Sequence, residues 1–395
     1  MVPRRLIVVL VLAAAPFVAG AVSLDASIGQ RLFERNWVSS PSSTSSNDGL
    51  GPLYNASSCA SCHVQRQATE TDESSVPPGV VVRIGNATGT GDAIYGRQLQ
   101  TRAAPGQTPE ANPDITWIAK GSERVAAIKL QSQGYGPLAK DTKLALRRAP
   151  FLTGVGLLAQ IPESEIVEKA EKNATNPDGV SGHPAWLMKD GRRVLGRFGW
   201  KATQPDLGAQ ISHAFFIDMG LSTEAQPDPW GDCTEAEAAC RRGPHGAKKG
   251  EVEIAPTLVA MIADYLNSLP APSTPITAHG EGVFNASGCA TCHSALHLAD
   301  GRPVTAYSDL LLHDMGPGLN DGIKEGAAPP GEWRTAPLWN VAATLKVSGL
   351  LHDGRARTVA EAVAWHDGEA AAARRRFQGL TPADKAALID FVSKL

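Results

Sequence analysis

Apolar residues recur at helical spacing in two segments, one near the middle of the chain and one at its end. In residues 258–269 these positions form a stripe on one face of a helix, and prolines follow at once. In residues 386–395 a second stripe follows Thr381-Pro382, a pair typical of a helix N-terminus. The patterns predict two closing helices, with the proline-rich stretch 270–275 as a linker after the first.

The first 21 residues have the pattern of a secretory signal peptide. Arg4 and Arg5 precede the unbroken apolar run 6–15, and small residues follow at 19–21. The run is too short for a stable membrane span, and no later segment is apolar for long enough. We therefore expect a periplasmic or secreted protein without a membrane span in the mature chain. An uncleaved anchor is the alternative.

Composition and charge narrow the class of protein. The 395 residues are enough for two or three domains. The net charge of −3 gives no reason to expect a nucleic-acid partner. With 39 Gly, 28 Pro and only 6 % aromatic residues, the chain should be rich in loops. Such a composition suits a protein in which a large cofactor supplies part of the core.

Four of the six cysteines carry the most specific chemistry of the sequence. They form two C-x-x-C-H motifs, Cys59-Ala-Ser-Cys62-His63 and Cys289-Ala-Thr-Cys292-His293. On a helical turn, residues three and four apart share one face. Two thiols at this spacing can bond both vinyl groups of a porphyrin, and the adjacent histidine can bind its iron. The motifs predict two covalently bound haem c groups.

Other uses of these cysteines fit less well. A four-cysteine zinc site could be built from two C-x-x-C pairs, but here the pairs lie far apart and each is followed by a histidine. A redox-active dithiol is expected in a βαβ context, which the sequence does not indicate. A disulfide within C-x-x-C would be strained.

The sequence repeats itself before each motif. Gly29-Gln-Arg-Leu-Phe33 precedes the first motif, and Gly280-Glu-Gly-Val-Phe284 precedes the second. Each half thus has an opening helix, a haem motif and a closing helix, which is the plan of a small cytochrome c. We predict a mainly α fold with two cytochrome c-type domains, at 23–270 and 276–395, the first with a large loop-rich insertion.

The remaining cysteines, Cys233 and Cys240, lie seven residues apart in a chain expected to be exported. This spacing and compartment favour a disulfide that holds a loop. A redox-active pair is the alternative.

The second axial ligand of each iron decides between electron transfer and reaction with small molecules. Met219 is the candidate for the first haem and Met315 for the second, with His213 and His313 as alternatives. Either loop could instead only pack on a haem edge. Arg355 and Arg357 are candidates for binding haem propionates, since arginine binds carboxylates in a bidentate fork. A solvent-exposed role is equally open for both.

Several phrases of the sequence resemble the bacterial di-haem oxidoreductase family, formerly labelled thiol oxidoreductases. The phrases span nearly the whole mature chain and lie at residues 49–55, 197–202, 307–316, 332–339 and 351–366. The C-terminal part is more distantly similar to di-haem cytochrome c peroxidases. This resemblance implies that the haem at His63 reacts with peroxide and that the haem at His293 receives electrons.

The chain also departs from the peroxidases. Residues 348–351 read Ser-Gly-Leu-Leu where those proteins often have a proline–aromatic pair, and the insertion in the first domain is unlike theirs. A calcium ion between the domains, as in those relatives, remains open, but no loop has the pattern of a dedicated oxygen-ligand cage.

Two functions of different class follow. The first is an exported di-haem oxidoreductase, peroxidase-like at the N-terminal haem; the second is a non-enzymatic electron-transfer cytochrome. A haem-based sensor is a weaker third. Either of the first two needs an electron donor, such as a small redox protein. The sequence assigns no catalytic residue, and the acid/base candidates are Glu123, Glu163, His183 and His213.

Overall fold

The computed structural model describes residues 23–44, 46–63, 76–121, 123–273 and 277–395. The predicted signal peptide and residues 274–276 of the predicted linker region lie outside this part of the chain. Within it, no helix is long and apolar enough to cross a membrane.

Helices and short strands alternate along the described residues. The helices are α1 (Leu24–Glu34), α2 (Cys59–His63), α3 (Val155–Ala159), α4 (Glu163–Asn173), α5 (Leu207–Met219), α6 (Pro256–Ser268), α7 (Ala278–Ala286), α8 (Val341–Val347), α9 (Val359–Ala364), α10 (Ala371–Gly379) and α11 (Pro382–Ser393). The strands are β1 (Val38–Ser39), β2 (Asp48–Leu50), β3 (Leu53–Tyr54), β4 (Val80–Gly85), β5 (Arg102–Ala103), β6 (Asn112–Lys120), β7 (Glu123–Gln131), β8 (Lys143–Arg148), β9 (Ala185–Lys189), β10 (Arg192–Gly196), β11 (Leu296–His297), β12 (Pro303–Val304), β13 (Leu312–Asp314) and β14 (Glu332–Arg334).

The fold is mixed α/β, so the expectation of a mainly α fold is wrong. About 31 % of the described residues are helical and 20 % lie in strands. The longest pairings, β4 with β8 and β6 with β7, lie in the segment expected to be loops. There Ile115 and Trp117 alternate with polar residues, the period-two pattern of a half-buried strand. A local strand pattern inside the insertion was therefore overlooked.

The strands make small pairings rather than one large sheet. Among the described residues, β1 pairs with β2 in parallel, and six further pairs are antiparallel: β3–β5, β4–β8, β6–β7, β9–β10, β11–β12 and β13–β14. The core therefore depends on packed helices, with strand pairs around them.

The repeated glycines lie where helices cross closely. A Cβ on Gly29 would lie 1.8 Å from the backbone oxygen of Met261, where α1 packs on α6. A Cβ on Gly280 would lie 2.5 Å from the backbone oxygen of Ala387, where α7 packs on α11. Only glycine permits such backbone approach without a shift. The repeat thus reflects the same helix crossing in each half.

The repeated phenylalanines are buried beside these crossings. Phe33 packs against Tyr265 of α6 with ring centres 5.4 Å apart, and Phe284 packs against Phe391 of α11 at the same distance. The closing helix α11 begins where the sequence predicts, since the Thr381 side chain accepts a hydrogen bond from the Asp384 backbone N–H. The packed pairs α1–α6 and α7–α11 thus each position one C-x-x-C-H motif, which follows the first helix of the pair in the sequence.

Candidate functional site

The first motif forms the short helix α2, beside a large cavity. Cys59 and Cys62 are free thiols, and they and His63 line the cavity wall. Nδ1 of His63 lies 3.0 Å from the backbone oxygen of Pro150. Because a carbonyl can only accept, Nδ1 carries the proton and Nε2 of the neutral ring keeps its lone pair. A histidine that binds a metal is typically oriented in this way.

The thiols of this motif are shielded rather than activated. Burial, with a smaller contribution from Asp218, raises the pKa of Cys59 to about 12 and that of Cys62 to about 11. Nucleophilic or metal-binding cysteines need a lowered pKa. The environment therefore argues against a reactive dithiol at this motif and agrees with thiols placed against an apolar group.

The volume of the cavity and its apolar lining are typical of a cofactor-binding site. Its volume is about 300 Å³, and apolar side chains from α1, α3, α5 and α6 form much of its wall. Members of that apolar lining include Phe33, Leu158, Ile211, Ile262 and Leu266.

Two buried arginines on the cavity wall have no carboxylate within ion-pair distance among the described residues. Arg148 Nε donates to the backbone oxygen of Leu351, and Arg334 Nε donates to that of Gly199. Burial lowers the pKa of each guanidinium to about 10. A buried cation without a counter-ion is costly, so these residues fit a group that brings its own carboxylates, as haem does with its propionates.

Of the two carboxylates that the described residues place on the wall, Asp218 accepts a hydrogen bond from Gln98 Nε2 at 2.6 Å and Glu325 is paired with cations. Glu325 binds Arg83 at 3.0 Å and Arg147 at 2.7 Å. Burial would raise the pKa of Glu325, but the two arginines outweigh it and hold the pKa well below its usual range. This carboxylate stays ionised.

Both candidates for the far side of the first haem lie on α5 and line the same cavity. Met219 is buried and packs in the core, while His213 is half-buried. Burial lowers the pKa of His213 to about 4, and no described residue is hydrogen-bonded to its ring. The cavity therefore contains a neutral, unpaired imidazole.

Of the four acid/base candidates from the sequence, one lies at the cavity. His213 lines the cavity, whereas Glu123, Glu163 and His183 are not among the described residues that form its wall. His183 instead pairs with Glu332 at 2.8 Å.

The second motif shares two features with the first, free cysteines and a histidine oriented by a backbone oxygen. Cys289–Thr291 is a single 3₁₀ turn, and Cys289 and Cys292 are free. Nδ1 of His293 donates to the backbone oxygen of Tyr307 at 2.8 Å. Burial lowers the pKa of His293 to about 4, so its ring is neutral with Nε2 open.

The structure also brings His366 to this site, a residue to which the sequence assigned no role. Its ring centre lies 6.5 Å from that of His293. His366 ends the phrase 351–366, but its neighbour across the site belongs to a distant part of the chain. A histidine two residues after the end of helix α9 was the only signal in the sequence.

His313 lies beside the second motif, its Nδ1 3.8 Å from Cys292 Sγ, whereas Met315 lies in a separate cluster. Met315 packs against a cluster of Leu319, Trp333 and Trp365. His313 has both ring nitrogens engaged, Nε2 by Asp309 at 2.9 Å and Nδ1 by Glu369 at 2.8 Å.

His313 is consequently a fixed cation. Burial alone would lower its pKa, but the bonds to the two carboxylates raise it to about 12. Cys292, Asp309 and His313 are also the one group of described residues whose spacing could suit a metal ion. Since Cys292 belongs to the C-x-x-C-H motif and His313 carries protons on both nitrogens, we assign no separate metal there.

Arg147 of the cavity wall also belongs to a buried cluster of aromatic and cationic side chains. The Trp333 indole stacks on the His352 ring with centres 3.7 Å apart. Arg147 lies over the same indole at 4.7 Å and Lys201 at 4.3 Å. The Lys201 ammonium also donates to three backbone oxygens, those of Ile323, Pro329 and Pro330.

Arg355 and Arg357, the sequence candidates for propionate binding, are occupied elsewhere. Arg355 pairs with Asp353 at 2.7 Å and lies over Trp365, and Arg357 lies near Glu361 at the surface. Cys233 and Cys240 form a disulfide near β3, outside the cavity lining.

Comparison with known proteins identifies a family that matches most of the sequence. Residues 122–395 match a family model described as "Di-haem oxidoreductase, putative peroxidase"; this range contains the second motif, and the first lies before it. No curated protein matches the chain. Among solved structures, the diheme peroxidase BthA of Burkholderia thailandensis has 16 % identity and a TM-score of 0.42, covering 94 % of this chain and 85 % of that one.

Hydrazine synthase of Kuenenia stuttgartiensis has 18 % identity and a TM-score of 0.28, covering 70 % of this chain and 100 % of that one. These overall similarities are low, and the assignment rests on the family model. Because that model matches more than half of the sequence, the chain belongs to the di-haem oxidoreductase family and has a di-haem redox role.

Proposed function

We propose that the protein is an exported c-type di-haem oxidoreductase that reduces a peroxide at the haem held by His63 and takes up electrons at the haem held by His293. The cavity beside His63 is the observation that carries this proposal. Two histidines line it: His63, whose ring is oriented by the Pro150 backbone oxygen, and His213, whose ring is neutral and has no hydrogen-bond partner among the described residues. The family description, which names a peroxidase, agrees with it.

Haem c supplies one-electron chemistry at its iron, and the chain determines how the group is held. Cys59 and Cys62 would bond its vinyl groups, and His63 would bind the iron through Nε2. Arg148 and Arg334 would pair with its propionates. The second site repeats the same plan with Cys289, Cys292 and His293.

Peroxide reduction consumes two electrons and two protons and yields two waters, so the site needs a group that moves protons. His213 is suited to this task because its ring is neutral and lies in the cavity wall. Glu325 is not, since Arg83 and Arg147 keep it ionised. His213 would take a proton from peroxide and return it to the leaving oxygen.

A non-enzymatic electron carrier is the alternative, and one observation favours it. Met219 also lines the cavity. If its sulfur binds the first iron, that iron has no open position and the protein only transfers electrons.

The test begins with the full-length protein produced in cells that attach haem c. A pyridine haemochrome assay should give two haems per chain, and cell fractionation should place the protein outside the cytoplasm. With a reduced small cytochrome as electron donor, the protein should consume peroxide. His213→Leu should keep both haems and lose at least tenfold in rate, while Met188→Leu, at an exposed position, should not.

Two bound haems with no peroxide consumption would refute the enzyme and leave the carrier. Met219→Leu then decides how the first iron is closed: an appearance of high-spin iron in this variant would identify Met219 as its ligand.

A further inference from the structure

The ring centres of His293 and His366 are separated by about the distance expected for two ligands of one metal ion. Their ring centres are 6.5 Å apart. A histidine nitrogen lies about 2 Å from the metal it binds, and the ring centre lies about 1 Å further back. Two imidazoles on opposite sides of one iron therefore have centres roughly 6 Å apart. The observed spacing is too wide for ring stacking and close to this value.

Hydrogen bonds orient both rings in the same manner. His293 Nδ1 donates to the backbone oxygen of Tyr307 at 2.8 Å, and His366 Nδ1 donates to that of Ala362 at 2.7 Å. Each proton is thereby fixed on Nδ1, and each Nε2 is left with a lone pair. Two buried imidazoles prepared in this way form a pair of donors for one metal.

The position of His366 is set by packing. It follows helix α9, whose buried residue Val359 lies in the same core as Phe391 of the closing helix. The acceptor Ala362 belongs to the last turn of α9, and its backbone oxygen also accepts from the Trp365 backbone N–H at 3.2 Å. The side chain therefore does not depend on a mobile loop for its orientation.

The other candidates on this side are less well placed to bind. Both nitrogens of His313 are held by carboxylates. Met315 packs on the Trp333 and Trp365 rings.

We propose that His366 Nε2 is the second axial ligand of the haem iron bound by His293, so that this site is bis-histidine, six-coordinate and closed to peroxide. The proposal rests on the covalent haem proposed above for the second motif. It makes the second haem an electron-transfer centre and restricts peroxide to the cavity at His63.

The experiment compares His366→Ala, His366→Met and the control Met315→Leu in the full-length haem-loaded protein. In the oxidised state, His366→Ala should lose one low-spin EPR signal and gain a high-spin one, and added imidazole should restore the low-spin signal. His366→Met should show the red absorption band of methionine-bound iron and a higher reduction potential. Met315→Leu should leave the low-spin signal unchanged.

The outcomes separate the two proposals. Absence of covalent haem from the wild-type protein would refute the proposed function. Two haems per chain with a low-spin signal that survives in His366→Ala, or that Met315→Leu abolishes, would refute only the ligand assignment. If His366→Ala does not fold, the methionine band in His366→Met decides: its absence overturns the assignment.

Discussion

The ammonium of Lys201 lies 4.3 Å from the centre of the Trp333 indole while it donates to three backbone oxygens. Its side chain is fully buried, and Asp321 Oδ1 lies 3.5 Å away. Burial lowers the pKa of Lys201 to about 8, against the attraction of Asp321. The Lys201 ammonium is thus surrounded by oxygen atoms in a buried cluster next to Arg147 of the cavity wall.

Replacing this lysine should destabilise the protein strongly. Lys201→Met leaves three backbone oxygens buried without their donor, while Asp321 keeps its ion pair with Arg147, and we expect a loss of about 3–5 kcal/mol in the free energy of unfolding. Urea unfolding measures it. Lys189→Met, at an exposed position, is the control. An effect below about 1 kcal/mol would show that the oxygens are satisfied in another way.

Stability should fall as pH rises from about 4.5 to 7. Glu110 and Glu237 are both fully buried, and each has one oxygen bonded to a backbone N–H and one without a donor. Burial, reinforced by Glu237, raises the pKa of Glu110, and burial raises that of Glu237 to about 7. Since the folded state then binds more protons than the unfolded state, deprotonation costs stability, about 1–3 kcal/mol in total.

Glu237→Gln should flatten this pH dependence, measured as the urea midpoint at each pH. The exposed neighbour Glu235 provides the control through Glu235→Gln. A Glu237→Gln protein with the slope of the wild type would exclude the carboxyl pair as its cause.

Alanine at the helix crossings should be harmful in a position-specific way. Gly280→Ala places a methyl group 2.5 Å from the Ala387 oxygen and should cost about 1–3 kcal/mol. At Gly282, also on α7, a methyl group would meet no atom within 4 Å. Gly282→Ala should therefore stabilise the protein by about 0.5–1 kcal/mol through helix propensity. Thermal unfolding of both variants compares them directly, and equal effects would contradict the close crossing.

The buried arginines should set the reduction potential of the first haem. Arg148→Gln and Arg334→Gln each remove a positive charge from the cavity wall, which disfavours the added electron and lowers the potential. A spectroelectrochemical titration measures the change. The exposed Arg357→Gln should leave both potentials in place. If Arg357→Gln alone shifts a potential, the propionates lie elsewhere.

Local structure was predictable where it depends on residues close together in the sequence, whereas covalent haem at the two C-x-x-C-H motifs stays a prediction. The two C-x-x-C-H motifs, the glycine–phenylalanine repeat and the cap at Thr381 all rest on spacings within one helical turn. His366 was not assigned because its relation to His293 exists only after α9 packs on the closing helix. Arg148 and Arg334 were missed for the same reason, since burial without a counter-ion is a tertiary property. The strands of the insertion were readable by alternation and were overlooked.

Three histidines donate a hydrogen bond from Nδ1–H to a main-chain oxygen: His63 to that of Pro150, His293 to that of Tyr307 and His366 to that of Ala362. A side-chain acceptor can be deleted by one codon change, whereas a peptide carbonyl persists whichever amino acid occupies the position. The orientation of these three histidines, the iron ligands that we propose, is therefore insensitive to substitution at the acceptor positions. The side chains around the first cavity have no such protection, so selectivity can diverge while the ligand scaffold is inherited intact.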